Sequence, residues 1–227
     1  MCSNLMAMSR ATIRHAFILM LSTFLLSMAA VAARQSSAGS QLPLAASPEM
    51  ARYEVDPASS SAGFTLQATG HTVEGTGGKV TGEFRRSKAP SGGAFTMEGE
   101  IRIESASLVT GNARRDGKMR RESLSVEKYP LIRFRPRRAK VSAQTDPIPD
   151  TSPGAKTSLT LEGDLTIRET TRPVSIPVSV LVGERRVTVD GSLRLNFDDY
   201  GVPDPSFLFL RVRPDMTVRF HLEAIPR

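Results

Sequence analysis

The strict alternation of apolar and polar residues along several segments is the feature that most constrains the fold of this chain. Successive side chains of a β-strand point to opposite faces, so the alternation predicts strands with one buried and one solvated face. Antiparallel sheets allow that arrangement, whereas parallel sheets are usually buried on both faces. It is clearest in AFTMEGEIRIES (residues 94–105), SLTLEGDLTIRET (158–170), VTVDGSLRLNF (187–197) and TVRFHLEA (217–224). We therefore predict an all-β protein of roughly eight or more strands, closed as a barrel or stacked as a sandwich.

The N-terminal segment has a different composition from the rest of the chain. Arg10 and Arg14 precede an apolar run from Ala16 to Ala33, in which Ala30-Val31-Ala32 fits a cleavage site. This pattern is typical of a secretory signal peptide, and the alternative is a retained membrane anchor, because the run is close to the shortest spanning length. A Ser/Ala/Pro-rich stretch without apolar periodicity follows it. The predicted organisation is a signal peptide (1–33), a flexible linker (34–51) and one domain (52–227), in a periplasmic or secreted protein.

Composition excludes several function classes. The single cysteine, Cys2, lies in the leader, so the processed chain has no thiol for disulfides, metal ligation or nucleophilic catalysis. The net charge of +7 is basic, but Trp is absent, aromatics are scarce, and export makes nucleic acid a poor partner. No nucleophile motif and no spacing typical of metal ligands is present. We predict a protein that is not an enzyme and has no cofactor or metal.

Basic residues are concentrated between Gly111 and Pro136, in a segment whose composition also permits a short helix. In the strand predicted after Pro130, Arg133 and Arg135 alternate with apolar residues and therefore face outward. The other cations of this segment form the cluster Arg114, Arg115, Lys118, Arg120 and Arg121. Two interpretations remain open: an ordinary solvated surface, or an outward patch that makes transient contact with an anionic membrane, where each basic residue contributes about 1 kcal/mol.

The order and spacing of several short motifs resemble the YceI-like family over about Tyr53 to Ala224. The motifs that carry the resemblance are Tyr53–Ala58, Thr110-Gly111-Asn112, Arg115-Asp116, Met119-Arg120, Val126–Pro130, Leu161–Ile167, Arg172-Pro173-Val174, Asp199-Tyr200-Gly201, Asp204-Pro205-Ser206 and Phe209–Val212. The sequence departs from the commonest family pattern at Ala68–Gly75, where many members have a His-x-Gly-Phe-type segment. It also lacks the paired Phe that often precedes Val126.

The resemblance implies an exported, lipocalin-like, eight-stranded antiparallel β-barrel with one short helix between strands. It also implies that the helix and loops close one end, and that the apolar interior holds a long-chain lipid, such as a polyisoprenoid or a fatty-acid derivative, without catalysis. A homodimer is compatible with such barrels, although the sequence carries no interface signature. The alternative function is a ligand-free structural or adhesion module of the cell envelope, built on a filled sandwich. A barrel that the inward aliphatic side chains pack solid, with no cavity, is also open.

Candidate ligand-binding residues are those on the inward faces of the predicted strands, together with a few near the helix segment. A barrel of eight strands is just wide enough to be filled by side chains or to hold one slim ligand. For orienting a polar head we single out His71, Asn112 and Arg115; Phe207–Leu210 either form a lid or pack against the wall. The predicted set is Phe64, Leu66, His71, Phe95, Met97, Ile101, Ile103, Asn112, Met119, Phe134, Leu161, Leu165, Ile167, Val178, Val180, Leu193, Leu195, Phe197 and Phe220.

Overall fold

The computed structural model describes residues 50–88, 94–141, 154–206 and 211–227. The strands are β1 Ala51–Val55, β2 Ser61–Ala68, β3 His71–Gly77, β4 Val80–Lys88, β5 Ala94–Glu104, β6 Leu108–Val109, β7 Leu131–Val141, β8 Lys156–Ile167, β9 Thr170–Val182, β10 Val187–Asn196 and β11 Val212–Pro226. One α-helix, α1 (Ala113–Lys118), continues directly into a π-helical turn (Met119–Ser123). No helix within the described ranges has the length and apolar character needed to cross a membrane. The predicted signal peptide, nearly all of the linker, and Phe207–Leu210 lie outside the described residues.

The strands form one antiparallel sheet that closes on itself. β1 and β2 are two parts of one long strand, because both pair with β11: Val55 lies opposite Ala224, and Ser61 lies opposite His221. β4 pairs with β1, and β3 pairs with β2, so β3 and β4 are likewise two parts of one strand. β6 continues the line of β5 and pairs with β3. Counted as continuous strands, the sheet is a closed, eight-stranded, up-and-down barrel. The prediction of a barrel is therefore confirmed, and the sandwich alternative is wrong.

The barrel end farthest from α1 is packed with side chains. One buried cluster is centred on Tyr53, Val55, Val80 and Phe84, and a second contains Leu159, Leu161, Ile176 and Val178. The Tyr53 and Phe84 rings stack with their centroids 5.2 Å apart. Phe134 and Phe220 pack against both clusters and so join them across the barrel. Every buried member of the two clusters is at most 9% exposed, so this end is an apolar core.

Two aromatic rings near the middle of the barrel lie against glycines of neighbouring strands. Phe220 is directly opposite Gly191, and the Phe134 ring lies over Gly163. A Cβ at Gly163 would come within 2.7 Å of the Phe134 ring, and a Cβ at Gly191 would overlap the Phe220 ring. Glycine is therefore required at both positions, because a side chain there would collide with the neighbouring phenylalanine ring.

The outer wall carries the basic residues of β7. Arg133 and Arg135 face outward, as their alternation predicted, and both approach the Glu100 carboxylate, at 3.8 Å and 2.8 Å. Arg102 also binds Glu100, at 2.6 Å. Desolvation is the largest single influence and raises the pKa of Glu100, but the hydrogen bonds and the positive charges of Arg102 and Arg135 together hold the pKa below its ordinary value. This part of the basic segment is thus an ion-paired strand surface.

Candidate ligand-binding cavity

A cavity of about 890 Å³ occupies the barrel end next to α1. Its walls come from β2, β3, β5, β6, β7, β8, β10 and β11, and residues of α1 and the π-helical turn line its mouth. On β2 the lining runs from Ala62 to Ala68, and on β11 from Val212 to Val218. Either span is about 20 Å of strand at about 3.4 Å per residue, or about 15 Å of depth for strands tilted by about 40°. The cavity therefore extends over about 15 Å of the barrel axis.

Part of the predicted ligand-binding set lines this cavity. Most of these residues come from strands around the barrel and from the segment around α1, whereas Phe197 begins a 3-10 turn (Phe197–Tyr200) that follows the end of β10 at Asn196. They are Phe64, Leu66, His71, Ile103, Asn112, Met119, Leu165, Ile167, Leu195 and Phe197.

The rest of the predicted set does not line the cavity. These side chains also face inward, but they belong to the packed end and contribute to its two apolar clusters. They are Phe95, Met97, Ile101, Phe134, Leu161, Val178, Val180, Leu193 and Phe220. Along β5, β7, β10 and β11, the next inward residues beneath the cavity lining are Ile101, Phe134, Leu193 and Phe220, where the packed end begins.

Other lining residues were not in the predicted set, although Arg115 among them is one of the residues considered for orienting a polar head. Some lie on strand faces whose alternation could have identified them, such as Val73 on β3, Ile132 on β7 and Val218 on β11. Others lie on α1, the π-helical turn or irregular segments, where the sequence has no alternation to follow. The full group is Ala62, Gly63, Ala68, Val73, Leu108, Thr110, Arg114, Arg115, Lys118, Arg121, Glu122, Ser123, Leu124, Ile132, Val202, Pro205, Val212, Met216 and Val218.

A compact polar network anchors α1 at the cavity mouth. Asn112 caps the helix, its Oδ1 accepting a hydrogen bond from the Arg115 backbone N–H at 3.0 Å. Asp116 is buried, and its Oδ1 accepts hydrogen bonds from the backbone N–H and the hydroxyl of Thr110, at 2.8 Å and 2.5 Å. The hydrogen bond from the Thr110 hydroxyl is the main cause that lowers the pKa of Asp116. Two of the residues considered for head-group orientation, Asn112 and Arg115, thus have structural partners in this loop.

Arginine side chains tie the segment after α1 to the barrel wall. Arg168 donates from Nη1 to the carbonyls of Ser123 and Gly201, at 3.2 Å and 3.1 Å, and its guanidinium lies 5.5 Å from the Tyr129 ring centroid. Arg120 donates from Nη2 to the Leu108 carbonyl at 3.1 Å. These contacts fix the π-helical turn relative to the strands that it covers.

Most of the basic cluster, for which the sequence leaves open both a solvated surface and an outward membrane-contacting patch, lines the cavity mouth. The lining members are Arg114, Arg115, Lys118 and Arg121. Arg115 donates to Thr110, from Nε to the hydroxyl and from Nη2 to the carbonyl, both at 2.7 Å. Lys118 donates to the Pro205 carbonyl at 3.4 Å. The cluster and the outward arginines of β7 are therefore two separate surfaces.

His71 lies at the cavity mouth, on the hairpin between β2 and β3. It is exposed, and its Nδ1 donates a hydrogen bond to the Thr69 carbonyl at 3.2 Å. Within the described ranges, no group of His, Asp or Glu side chains is arranged to hold a metal ion.

The sequence profile of the YceI-like domain matches residues 53–224. The chain belongs to the YceI-like family. Among solved structures that resemble this fold, BcnA from Burkholderia cenocepacia is 19% identical, with a TM-score of 0.58, and the match covers 74% of this chain and 98% of BcnA. A polyisoprenoid-binding domain from Saccharophagus degradans, described as implicated in plant cell wall breakdown, is 15% identical, with a TM-score of 0.59 and coverage of 77% and 98%. At these identities the likeness is one of fold. No curated protein matches this chain in sequence.

Proposed function

We propose that this YceI-like protein is exported and binds a long-chain apolar ligand, a polyisoprenoid or a fatty-acid-like lipid, which it carries or sequesters. The ligand chain would occupy the cavity and the head would remain at the mouth. Family membership and the polyisoprenoid-binding domain from Saccharophagus degradans support this ligand class. The proposal includes a periplasmic or secreted location, as the leader suggests, and a binding role without catalysis or cofactor.

The observation that carries the proposal is the cavity itself. Its volume of about 890 Å³ lies within the range of about 300–1,000 Å³ that is usual for small-molecule sites. An extended hydrocarbon advances about 1.2 Å per bond, by analogy with the extended backbone, so a depth of about 15 Å holds about twelve carbons. At about 0.8 kcal/mol per methylene, burial of that chain contributes on the order of 10 kcal/mol before the entropic costs of binding.

The packing of the barrel bears on the alternative, a ligand-free structural or adhesion module. That function requires only a stable, filled barrel. The end farthest from α1 is filled, but the end next to α1 is not, although inward aliphatic residues such as Leu165 and Leu195 are present there. An apolar void costs stability in proportion to its volume, so an unfilled interior favours a ligand.

Native mass spectrometry of the protein purified from its own host, followed by organic extraction and lipid analysis, tests this proposal. We expect an added mass that organic solvent removes, and an isoprenoid or acyl chain in the extract. N-terminal sequencing of the same sample should show loss of the leader. Repeated recovery of empty protein that also fails to take up added isoprenoids and fatty acids would support the structural module instead.

A further inference from the structure

We propose that the cavity mouth recognises an oxyanion, a phosphate or a carboxylate, so that the ligand is an anionic amphiphile and not a neutral lipid. This inference rests on the proposed function, because it concerns the head of the molecule whose chain the cavity would bury. It concerns the cationic rim, which we define as Arg114, Arg115, Lys118 and Arg121.

The charge around the mouth is strongly asymmetric. All residues of the cationic rim line the cavity, whereas Glu122 is the one carboxylate among its described lining residues. The rim cations lie on α1 and the π-helical turn, where residues three or four apart in sequence share one side of the helical segment. Below them the walls are apolar, with Leu66, Leu124 and Ile132 among the lining. A molecule with a hydrocarbon chain and an anionic head matches this division.

Two rim residues are available for a ligand. Arg115 is bound to Thr110, and Lys118 contacts the Pro205 carbonyl and lies 3.9 Å from Glu122. Arg114 and Arg121 are exposed, and neither forms an ion pair with any part of the chain that the structure describes. Their guanidinium groups can each donate two parallel hydrogen bonds to a phosphate or carboxylate.

Gly117 positions one of these guanidinium groups. The Arg121 side chain folds back along the helical segment, so that its Nη1 lies 3.1 Å from the position a Cβ would occupy at Gly117. Because Gly117 has no side chain, the guanidinium lies against the helix backbone at the cavity mouth. Arg114 is on the first turn of the same helix. The rim therefore offers guanidinium donors next to the apolar walls of the cavity.

The test uses the lipid-stripped full chain and probes that share one chain length: dodecyl phosphate, dodecanoate and dodecan-1-ol. Calorimetric titration should show that at least one anionic probe binds about tenfold or more tightly than the alcohol, since hydrogen bonds to charged groups typically contribute that much. The Arg114→Gln/Arg121→Gln variant should lose this preference and keep the affinity for dodecan-1-ol. The phosphate and carboxylate arms show which oxyanion the rim prefers.

The matched control is Arg194→Gln/Arg219→Gln, which changes the net charge equally on exposed positions of β10 and β11. It should leave all affinities unchanged. Equal affinity of the unmodified protein for the alcohol and both anionic probes overturns the proposal but not lipid binding. An equal loss in the control variant also overturns it, because the effect would then be that of net charge. Inorganic phosphate binding as tightly as dodecyl phosphate overturns it as well. Failure to bind any of the C12 probes would instead overturn the proposed function.

Discussion

Replacing Phe220 by alanine should deepen the cavity and lengthen the ligand chain that it accepts. Phe220 faces inward from β11, lies directly opposite Ala62 of the cavity lining, and is the next inward residue below Val218. Its ring covers Gly191 and packs against both apolar clusters. Removing the ring extends the cavity towards the packed end by one inward position.

The expected effect can be worked out from strand geometry. Two residues of strand are about 7 Å, or about 5 Å of barrel axis at a tilt of about 40°. At about 1.2 Å per bond, this depth admits about four more methylenes. Their burial is worth about 3 kcal/mol, or an affinity gain of about 200-fold for a chain long enough to use the space. The substitution should also lower the free energy of unfolding by about 3–5 kcal/mol.

The assay is the affinity of straight-chain carboxylic acids of increasing length, measured by displacement of a fluorescent fatty-acid analogue. For the unmodified protein, binding should strengthen by about 0.8 kcal/mol per methylene up to about twelve carbons and then level off. For Phe220→Ala the plateau should move to about sixteen carbons. The control is Phe84→Ala, which removes a buried ring from the packed end beside Tyr53 and should destabilise the protein without moving the plateau.

Two outcomes would refute the reasoning. If the affinity of the unmodified protein rises without a break to eighteen carbons or beyond, the packed end is not a floor. If the plateau stays in place in a Phe220→Ala variant that circular dichroism shows to be folded, Phe220 does not set the depth.

Two further predictions concern the wall and the helix. Leu165→Lys should weaken lipid binding by about a hundredfold or more, because an ammonium group would have to lose its water in an apolar cavity. Thr166→Lys, on the outer face, should change the affinity by no more than about threefold in the same displacement assay. Equal losses in the two variants would contradict the assignment of inward and outward faces. Asp116→Asn should destabilise the protein most at neutral pH. The lowered pKa of Asp116 means that its carboxylate stabilises the fold above the unfolded-state pKa of about 3.9 and loses this effect as the pH falls through the lower folded-state pKa. Urea unfolding should therefore show a difference between the two proteins at pH 7 that shrinks by pH 3, and a difference that grows in acid would contradict it.

The sequence alone determined which side of each strand faces inward, because the two-residue repeat of a β-strand is a local property. Leu165 and Thr166 were assigned to opposite faces from their neighbours alone, and the structure places Leu165 in the cavity and the Thr166 hydroxyl 2.8 Å from that of Thr171 on the outside. The family motifs added the closed, eight-stranded barrel, which alternation by itself could not separate from a sandwich.

Only the tertiary structure decided which inward residues meet empty space and which meet each other. Phe197 and Phe220 have the same inward pattern in sequence, yet Phe197 lines the cavity and Phe220 lies beneath it. The difference depends on where strands of different tilt and length bring side chains together across the barrel, which is a non-local property. The same is true of Arg114 and Arg121. Their charge is evident in the sequence, but the sequence could not place them over the cavity, because that position depends on how the Thr110–Asp116 contacts anchor the helix to the barrel.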